Sequence, residues 1–268
     1  MRSSIVVVVL LGAVALLSTG CTAFRVANAA LQSKAGFVHC TADRRIFCEP
    51  GSEALAEAVA PLLPEAIARI EAAQFSAFTQ PIEIYTYLSP ESFAAHSGAG
   101  SAAAAVSLQR LNLSPILQHT PERMRGILTH ELSHLHLQLQ MGSIAWASVP
   151  SWFHEGLATW VSGGGGAEKV SAEVARRALR AGPRFEPEES QWPLFPKTAW
   201  HYDLAPHMYY RQAALFVAFM HDRDPAAFRK MLLAVAAKTD FAEAVSASFD
   251  QTLPALWQTF LANDRVEP

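Results

Sequence analysis

Residues 120–142, with the sequence TPERMRGILTHELSHLHLQLQMG, carry the strongest structural signals in this chain. Thr120 suits the N-cap of a helix, Pro121 suits the first helical position, and Gly142 suits the position after the helix end. Apolar residues recur at spacings of three and four along the segment: Met124, Leu128, Leu132, Leu135 and Leu139. This period predicts an amphipathic helix whose apolar stripe faces the core.

The same segment contains an HExxH motif between His130 and His134. Histidines four residues apart in a helix leave the same face one turn apart, and the intervening Glu131 lies on the flank of that face. Two imidazoles, with a carboxylate beside an open coordination position, are what a zinc hydrolase requires. HExxH also arises by chance, so a metal site is predicted only if a further ligand is found.

A second segment, VPSWFHEGLATWVSG at residues 149–163, supplies that ligand. Pro150 opens a short helix, and the glycine run at 163–166, expected to be a flexible joint, must end it. One side of this helix is apolar and comprises Phe153, Leu157, Trp160 and Val161. Glu155 lies on another side, where it would complete a three-ligand zinc site with one position left for water. The alternative is that Glu155 is a solvated carboxylate near a helix N-terminus.

Together, HExxH at 130–134 and W-x-x-E-G-x-A at 152–158 resemble the gluzincin metallopeptidases, specifically the MA-like domains related to M1 aminopeptidases. The resemblance implies that His130, His134 and Glu155 bind one Zn²⁺ per chain and that Glu131 is the general base. It also implies an α+β fold. A zincin-like N-terminal lobe would hold a small mixed sheet and the HExxH helix, and the C-terminal lobe would be all helical.

Three positions extend or limit this resemblance. Tyr210 matches a tyrosine that opens the corresponding helix of those peptidases, which implies a phenol that hydrogen-bonds the oxyanion. Tyr209 is a second candidate for this role, and a packed helix tyrosine is the alternative. Residues 100–119 contain no acidic residue, whereas M1 aminopeptidases grip the substrate's amino end through a Gly-x-Met-Glu-Asn stretch there, so a dedicated aminopeptidase is not expected. Thr159 stands where thermolysin-type members carry an aspartate, so the hydrogen-bond partner of the ligand histidines must come from elsewhere.

The N-terminal region predicts export. Arg2 and the apolar run at residues 5–17 indicate a signal peptide over residues 1–20, too short for a comfortable membrane span. Cys21 follows a small residue, which predicts lipidation and anchoring to a membrane, the outer membrane being preferred, with residues 21–36 as a tether. Ordinary cleavage after Ala29 is the alternative. The expected location is therefore periplasmic and lipid-anchored, or secreted.

Cysteine usage and charge bear on compartment and partners. Cys40 and Cys48 bracket a short polar stretch and are predicted to form a disulfide in an oxidising compartment, with two unpaired thiols as the alternative. The formal net charge of −3, without basic clusters, argues against a nucleic-acid partner. The expected partners are a peptide or protein substrate and the membrane.

The rest of the chain is predicted to form one peptidase domain over residues 37–268, with an α/β lobe at 37–163 and a helical lobe at 167–268. The α/β lobe is expected to contain a helix over residues 52–73, interrupted near Pro61 and Pro64. It is also expected to contain a strand at 82–88, a small-residue loop at 94–105 and a strand at 106–113. The helical lobe is expected to contain these segments: a helix at 171–181, a long loop at 182–206 over the active-site side, and three helices at 207–221, 224–238 and 253–263. The other histidines are expected to be surface or satisfied core residues: His39, His96, His119, His136, His154, His201, His207 and His221.

These observations predict a zinc-dependent peptidase of the bacterial cell envelope. The alternative from another functional class is a catalytically inactive, peptidase-like lipoprotein that serves in binding or assembly. Glu131 favours the enzyme, because a binding module has no use for a general base. A purely structural zinc site is disfavoured, since such sites are usually closed by four protein ligands and no fourth ligand is evident.

Overall fold

The computed structural model describes Arg25, residues 28–193 and residues 195–263. The predicted signal peptide at residues 1–20 and the predicted lipidation site Cys21 lie outside these residues. The described part has the predicted α+β architecture: an N-terminal four-stranded mixed sheet with helices, followed by a C-terminal helical region. The lobe boundaries assigned from the sequence stay a prediction.

The sheet has the strand order β1-β2-β4-β3. Its strands are β1 (Ile46–Cys48), β2 (Ile84–Thr86), β3 (Ala104–Ser107) and β4 (Arg110–Leu113). The first three strands in this order pair in parallel, whereas β3 is antiparallel to β4. β3 is therefore an edge strand, and it lies beside the HExxH helix. This settles which edge of the sheet is close to the motif, a point that the sequence left open.

Most helices lie where the capping residues and the hydrophobic periodicity of the sequence predict them. In chain order they are α1 (Glu53–Val59), α2 (Leu63–Gln74), α3 (Pro90–Ser97), α4 (Pro121–Met141), α5 (Ser143–Ser148), α6 (Ser151–Val161), α7 (Ala172–Ala181), α8 (Pro206–Arg223), α9 (Pro225–Ala236), α10 (Phe241–Phe249) and α11 (Leu253–Asn263). Short 3₁₀ turns occur at Ala60–Leu62, Pro115–His119 and Ala199–Tyr202.

The HExxH helix, α4, has nearly the predicted bounds. Pro121 is its first residue, and Gly142, with φ of 75°, follows its last. Every residue of the predicted apolar stripe is buried, as expected for a helix that packs into the core. The predicted cap is only partly correct, because Thr120 occupies the N-cap position but its hydroxyl makes no capping hydrogen bond.

One hydrophobic core connects the sheet to the C-terminal helices. It includes Ile84 of β2, Leu132 of α4, Phe153 of α6, Phe216 of α8 and Trp257 of α11, all buried. Helix α6, which carries Glu155, packs against α4 on one side and α8 on the other. The core therefore fixes the relative positions of the three helices that carry the predicted site residues.

The structure corrects two predictions in the region before α4. The predicted strand at 106–113 is a hairpin of β3 and β4, because Leu108 and Gln109 turn the chain with φ of 53° and 59°. The predicted loop at 94–105 is wrong at both ends, since α3 extends into it and β3 begins inside it. Helix α3 has a clear cap, in which the Ser89 side chain accepts a hydrogen bond from the Ser92 N–H.

Other differences are smaller. The prediction of three C-terminal helices is wrong, because α10 forms a fourth between α9 and α11, and the Asp240 side chain caps it by accepting from the Glu243 N–H. β1 lies in a stretch that was expected to be a polar loop. The predicted break in the helix over residues 52–73 is confirmed at the 3₁₀ turn containing Pro61, whereas Pro64 lies in the first turn of α2.

Candidate metal centre

Three predicted ligands come together at one point between α4 and α6. His130 Nε2 and His134 Nε2 are 3.1 Å apart, and Glu155 Oε2 lies 3.2 Å from the first and 3.6 Å from the second. The two histidines are buried, with exposures of 4% and 8%, and the Glu155 side chain is 24% exposed. Among the described residues, this is the one group of three or more histidine, cysteine or acidic side chains arranged to hold a metal ion.

The spacing of these atoms fits a tetrahedral zinc ion. Zn–N and Zn–O bonds of about 2.0–2.1 Å place neighbouring tetrahedral ligands about 3.3–3.4 Å apart. The three observed separations, 3.1, 3.2 and 3.6 Å, bracket this value. Two imidazoles and one carboxylate are also the donor set of open zinc sites. The residues present therefore fit a zinc ion, and the predicted His-His-Glu group is confirmed as a candidate metal site.

The electrostatics of the cluster show how strongly its members interact. Burial opposes ionisation of Glu155, but His134 and His130 overcome this effect and hold the pKa of the carboxyl well below its usual range. Burial likewise opposes a charged His130, whereas the hydrogen bond and charge of Glu155, with a contribution from Glu131, raise the pKa of that imidazole. A buried carboxylate held ionised by imidazoles is a site that attracts a cation.

Glu131 lies outside the ligand cluster but lines the same cleft. Its position directly after His130 on α4 places the carboxylate close enough to influence the pKa of that histidine. Glu131 is thus an acidic group beside the cluster and not one of the three candidate ligands.

Tyr210 is also brought to the site, from the first turns of α8. Its ring stacks on His130 with a centroid distance of 5.9 Å. The charge of Glu155, followed by burial and by the charge of Glu131, raises the pKa of Tyr210. The phenol is therefore a protonated hydrogen-bond donor at neutral pH, close to the ligand cluster.

The second ring nitrogen of His130 has a partner that the sequence did not identify. His130 Nδ1 lies 2.9 Å from the Gly165 carbonyl oxygen, whereas the Thr159 hydroxyl lies 3.5 Å from it. The glycine run at 163–166 was expected to be a flexible joint. In the structure Gly164 and Gly165 are buried, and the run is packed against α4.

The cluster opens into a cleft of about 690 Å³. One wall is the edge strand β3 with the residues before it, and another is the loop at 182–206. The loop predicted at 182–206 thus lies on the side of the candidate metal site. Trp200 from the loop lines the cleft yet is 81% exposed, so its indole forms part of an accessible rim.

Sequence reasoning did not assign Trp146 or His154 to the cleft, and it named Tyr209 only as a second candidate beside Tyr210; all three residues line it. Each has a buried polar atom without a hydrogen-bond partner among the described residues, namely Trp146 Nε1, His154 Nδ1 and the Tyr209 hydroxyl. His154 was expected to be a surface or satisfied core histidine. It is buried and its Nε2 donates to the Trp146 carbonyl, but Nδ1 is unpaired, so that expectation is only half correct. Burial lowers the pKa of His154 to about 4. The one sequence signal that could have placed His154 near the cluster was its position next to Glu155.

Features outside the cleft bear on the compartment. Cys40 and Cys48 form the predicted disulfide, with Cα atoms 6.0 Å apart, which is consistent with an extracytoplasmic location. None of the helices in the described ranges combines the length and hydrophobicity that crossing a bilayer requires. No protein-family model matches the chain, and neither a curated protein nor a solved structure shows significant similarity to it.

Proposed function

We propose that this chain is a zinc-dependent peptidase of the cell envelope, in which His130, His134 and Glu155 hold one zinc ion. The observation that carries the proposal is the convergence of three ligand atoms at tetrahedral spacing, 3.1–3.6 Å apart, at the base of an open cleft. Three protein ligands leave a coordination position for water or substrate, as catalytic zinc sites do. The resemblance of the two motifs that contain these residues to those of gluzincin peptidases also supports the proposal.

A bound zinc ion would supply Lewis-acid polarisation of the scissile carbonyl and would make a water molecule more acidic. Glu131 then acts as the general base: its carboxylate takes a proton from the attacking water and passes it to the leaving amine. Two features support this role. Glu131 lines the cleft beside His130, and it is not one of the three clustered ligands.

Tyr210 is proposed to stabilise the transition state. Its phenol is protonated at neutral pH, because the nearby carboxylates and burial raise its pKa. A protonated phenol beside the ligand cluster is able to donate a hydrogen bond to an oxyanion that develops on the substrate. Removal of such a donor costs roughly 2.7–4 kcal/mol where it is the principal stabiliser, and we expect a smaller loss beside a metal.

The substrate is proposed to be an extended peptide that adds to β3. This strand pairs with β4 along one edge only, and residues 102–106 line the cleft. Backbone hydrogen bonds to an open strand edge bind peptides with little dependence on side chains. Such binding is compatible with a peptide or protein substrate and does not require a free amino end.

The location in the envelope is proposed from the N-terminal sequence and the disulfide. If Cys21 is lipidated, the protein should partition with membranes, and Cys21→Ser should release it or block its maturation. A matched variant, Ser33→Ala, which lies in the predicted tether and outside the stretch around Cys21, should behave as wild type. Wild-type protein that is wholly soluble, with an N-terminus at Ala30, would mean that ordinary cleavage is correct and the lipid anchor is wrong.

The deciding experiment compares peptide-library hydrolysis by wild type, Glu131→Gln and the control Glu122→Gln. Glu122 is exposed in the first turn of the same helix and lies outside the cleft lining. Glu131→Gln should keep zinc and fold but lose about 10²–10⁴-fold in rate, since the amide cannot accept the proton. Glu122→Gln should retain full activity. Equal activity of all three proteins would refute the mechanism, and zinc-loaded wild type that cleaves nothing would favour the binding-lipoprotein alternative.

A further inference from the structure

The imidazole of His130 is held from both sides. Its Nε2 atom faces Glu155 and His134, while its Nδ1 atom lies 2.9 Å from the Gly165 carbonyl oxygen. A carbonyl oxygen only accepts hydrogen bonds, so Nδ1 must carry the proton in this contact. In a neutral ring the lone pair is then on Nε2 and points toward the ligand cluster. The carbonyl thus selects the tautomer that is able to bind a metal through Nε2.

A pair of glycines makes this contact possible. Gly126 lies on α4 one turn before His130, and its own Cβ, if present, would lie 3.3 Å from Gly165 Cα. A Cβ on Gly165 would overlap the Gly126 carbonyl oxygen. Glycine inside a helix costs roughly 1 kcal/mol relative to alanine, so helix stability does not explain Gly126. The close approach of the α4 backbone to the loop backbone at Gly165 explains why this position is glycine.

The loop is also secured at its far side. The Gly166 N–H donates to Glu168, whose carboxylate pairs with Arg123 of α4 at 3.1 Å. Arg211, next to Tyr210 on α8, donates to the Ala167 and Val170 carbonyls at 3.2 and 2.8 Å. The segment is therefore attached both to the helix that carries the two histidines and to the helix that carries Tyr210.

We propose that the Gly163–Gly166 loop is a positioning element for the metal ion, acting through the Gly165 carbonyl on His130. The Gly126–Gly165 contact sets the distance between loop and helix, so it also sets how well His130 is oriented. Thr159 contributes little, because its hydroxyl lies 3.5 Å from the same nitrogen and a carbonyl already occupies the closer position. The inference rests on the metal-binding part of the proposed function and not on peptide hydrolysis.

The test measures the zinc dissociation constant by competition with a chelator, together with the melting temperature of each protein. Gly126→Val adds a side chain where the loop backbone lies, and it should weaken zinc binding about 10–100-fold, the usual effect of losing the partner of a ligand histidine. Gly36→Ala is the control, since this glycine lies outside the loop and nothing lies within 4 Å of the Cβ that it would add. Gly36→Ala and Thr159→Val should leave the zinc affinity unchanged, whatever they do to stability.

A spectroscopic measurement needs no variant. In zinc-loaded wild type, a proton should be found on His130 Nδ1 and should exchange slowly with solvent, because it is buried and hydrogen-bonded. Folded Gly126→Val with wild-type zinc affinity would overturn the proposal, and so would an Nδ1 that carries no proton in the zinc-loaded protein. Wild-type protein that binds no zinc would refute the proposed metal site itself. Failure of the inference and failure of the proposed function are thus distinguishable.

Discussion

Replacing Gly156 by alanine tests how closely the two helices beside the metal centre must pack. Gly156 directly follows Glu155 on α6 and faces Ala213 of α8. A Cβ at this position would lie 2.8 Å from both the carbonyl carbon and the carbonyl oxygen of Ala213, and 3.0 Å from a Val217 methyl group. Because the first two atoms belong to the backbone, no rotation of a side chain relieves the overlap.

The size of the effect follows from these distances. Ordinary contacts of a Cβ begin at about 3.4 Å, so α6 and α8 must separate by roughly 0.6 Å. Overpacking of this kind costs about 1–3 kcal/mol, and alanine returns about 1 kcal/mol through its better helix propensity. We therefore expect a net loss of about 0–2 kcal/mol, or up to roughly 8 °C in melting temperature for a protein of this size. The separation also exceeds the tolerance of about 0.5 Å for a functional constellation, so zinc binding should weaken.

The assay combines thermal unfolding of Gly156→Ala with zinc titration against a chelator. Gly36→Ala is the matched control, because nothing lies within 4 Å of the Cβ that it would add. The control should keep wild-type zinc affinity. A Gly156→Ala protein with unchanged or higher stability and unchanged zinc affinity would show that the α6–α8 contact does not position Glu155.

Three further predictions concern the rim of the cleft, the disulfide and the loss of folding stability at low pH. Trp200→Ala should raise KM with little change in kcat, because the exposed indole lines the cleft but is not among the clustered ligands; an altered kcat with constant KM would contradict this. Cys40→Ala with Cys48→Ala should lower the free energy of unfolding by about 2–3 kcal/mol in a urea titration, the loop-closure value for a short crosslink. In the metal-free protein the pKa of Glu155 is lowered by folding, so the stability that it contributes is present above about pH 4.3 and is lost as the pH falls through the folded pKa. Urea unfolding between about pH 2.5 and 4.5 should therefore depend less on pH in Glu155→Gln than in wild type.

The candidate metal site was the part of the molecule most accessible from the sequence. His130 and His134 are fixed by helical periodicity, which places residues four apart on one face without any tertiary information. Glu155 could be predicted because the motif around it resembles that of known peptidases. Neither argument gives the distances of 3.1–3.6 Å between the three ligand atoms, which depend on the packing of α6 against α4 and α8.

The errors arose where local signals were weak or unusual. Leu108 and Gln109 form a turn with positive φ although neither residue favours it, so no glycine or asparagine marked the hairpin. The partner of His130 could not be predicted, because a backbone carbonyl leaves no side-chain signature; only the helix-interior Gly126 hinted at a close approach. Trp146 reaches the cleft through a short helix that has no distinctive pattern.

The zinc content of the purified protein tests the central claim most directly. After equilibration with zinc and removal of free metal, wild type and Glu131→Gln should each retain close to one zinc per chain, because Glu131 is not among the clustered ligands. His134→Ala and Glu155→Ala should retain almost none while they remain folded. Full zinc occupancy in these two ligand variants, or no zinc in wild type, would contradict the assignment of His130, His134 and Glu155 as the metal site.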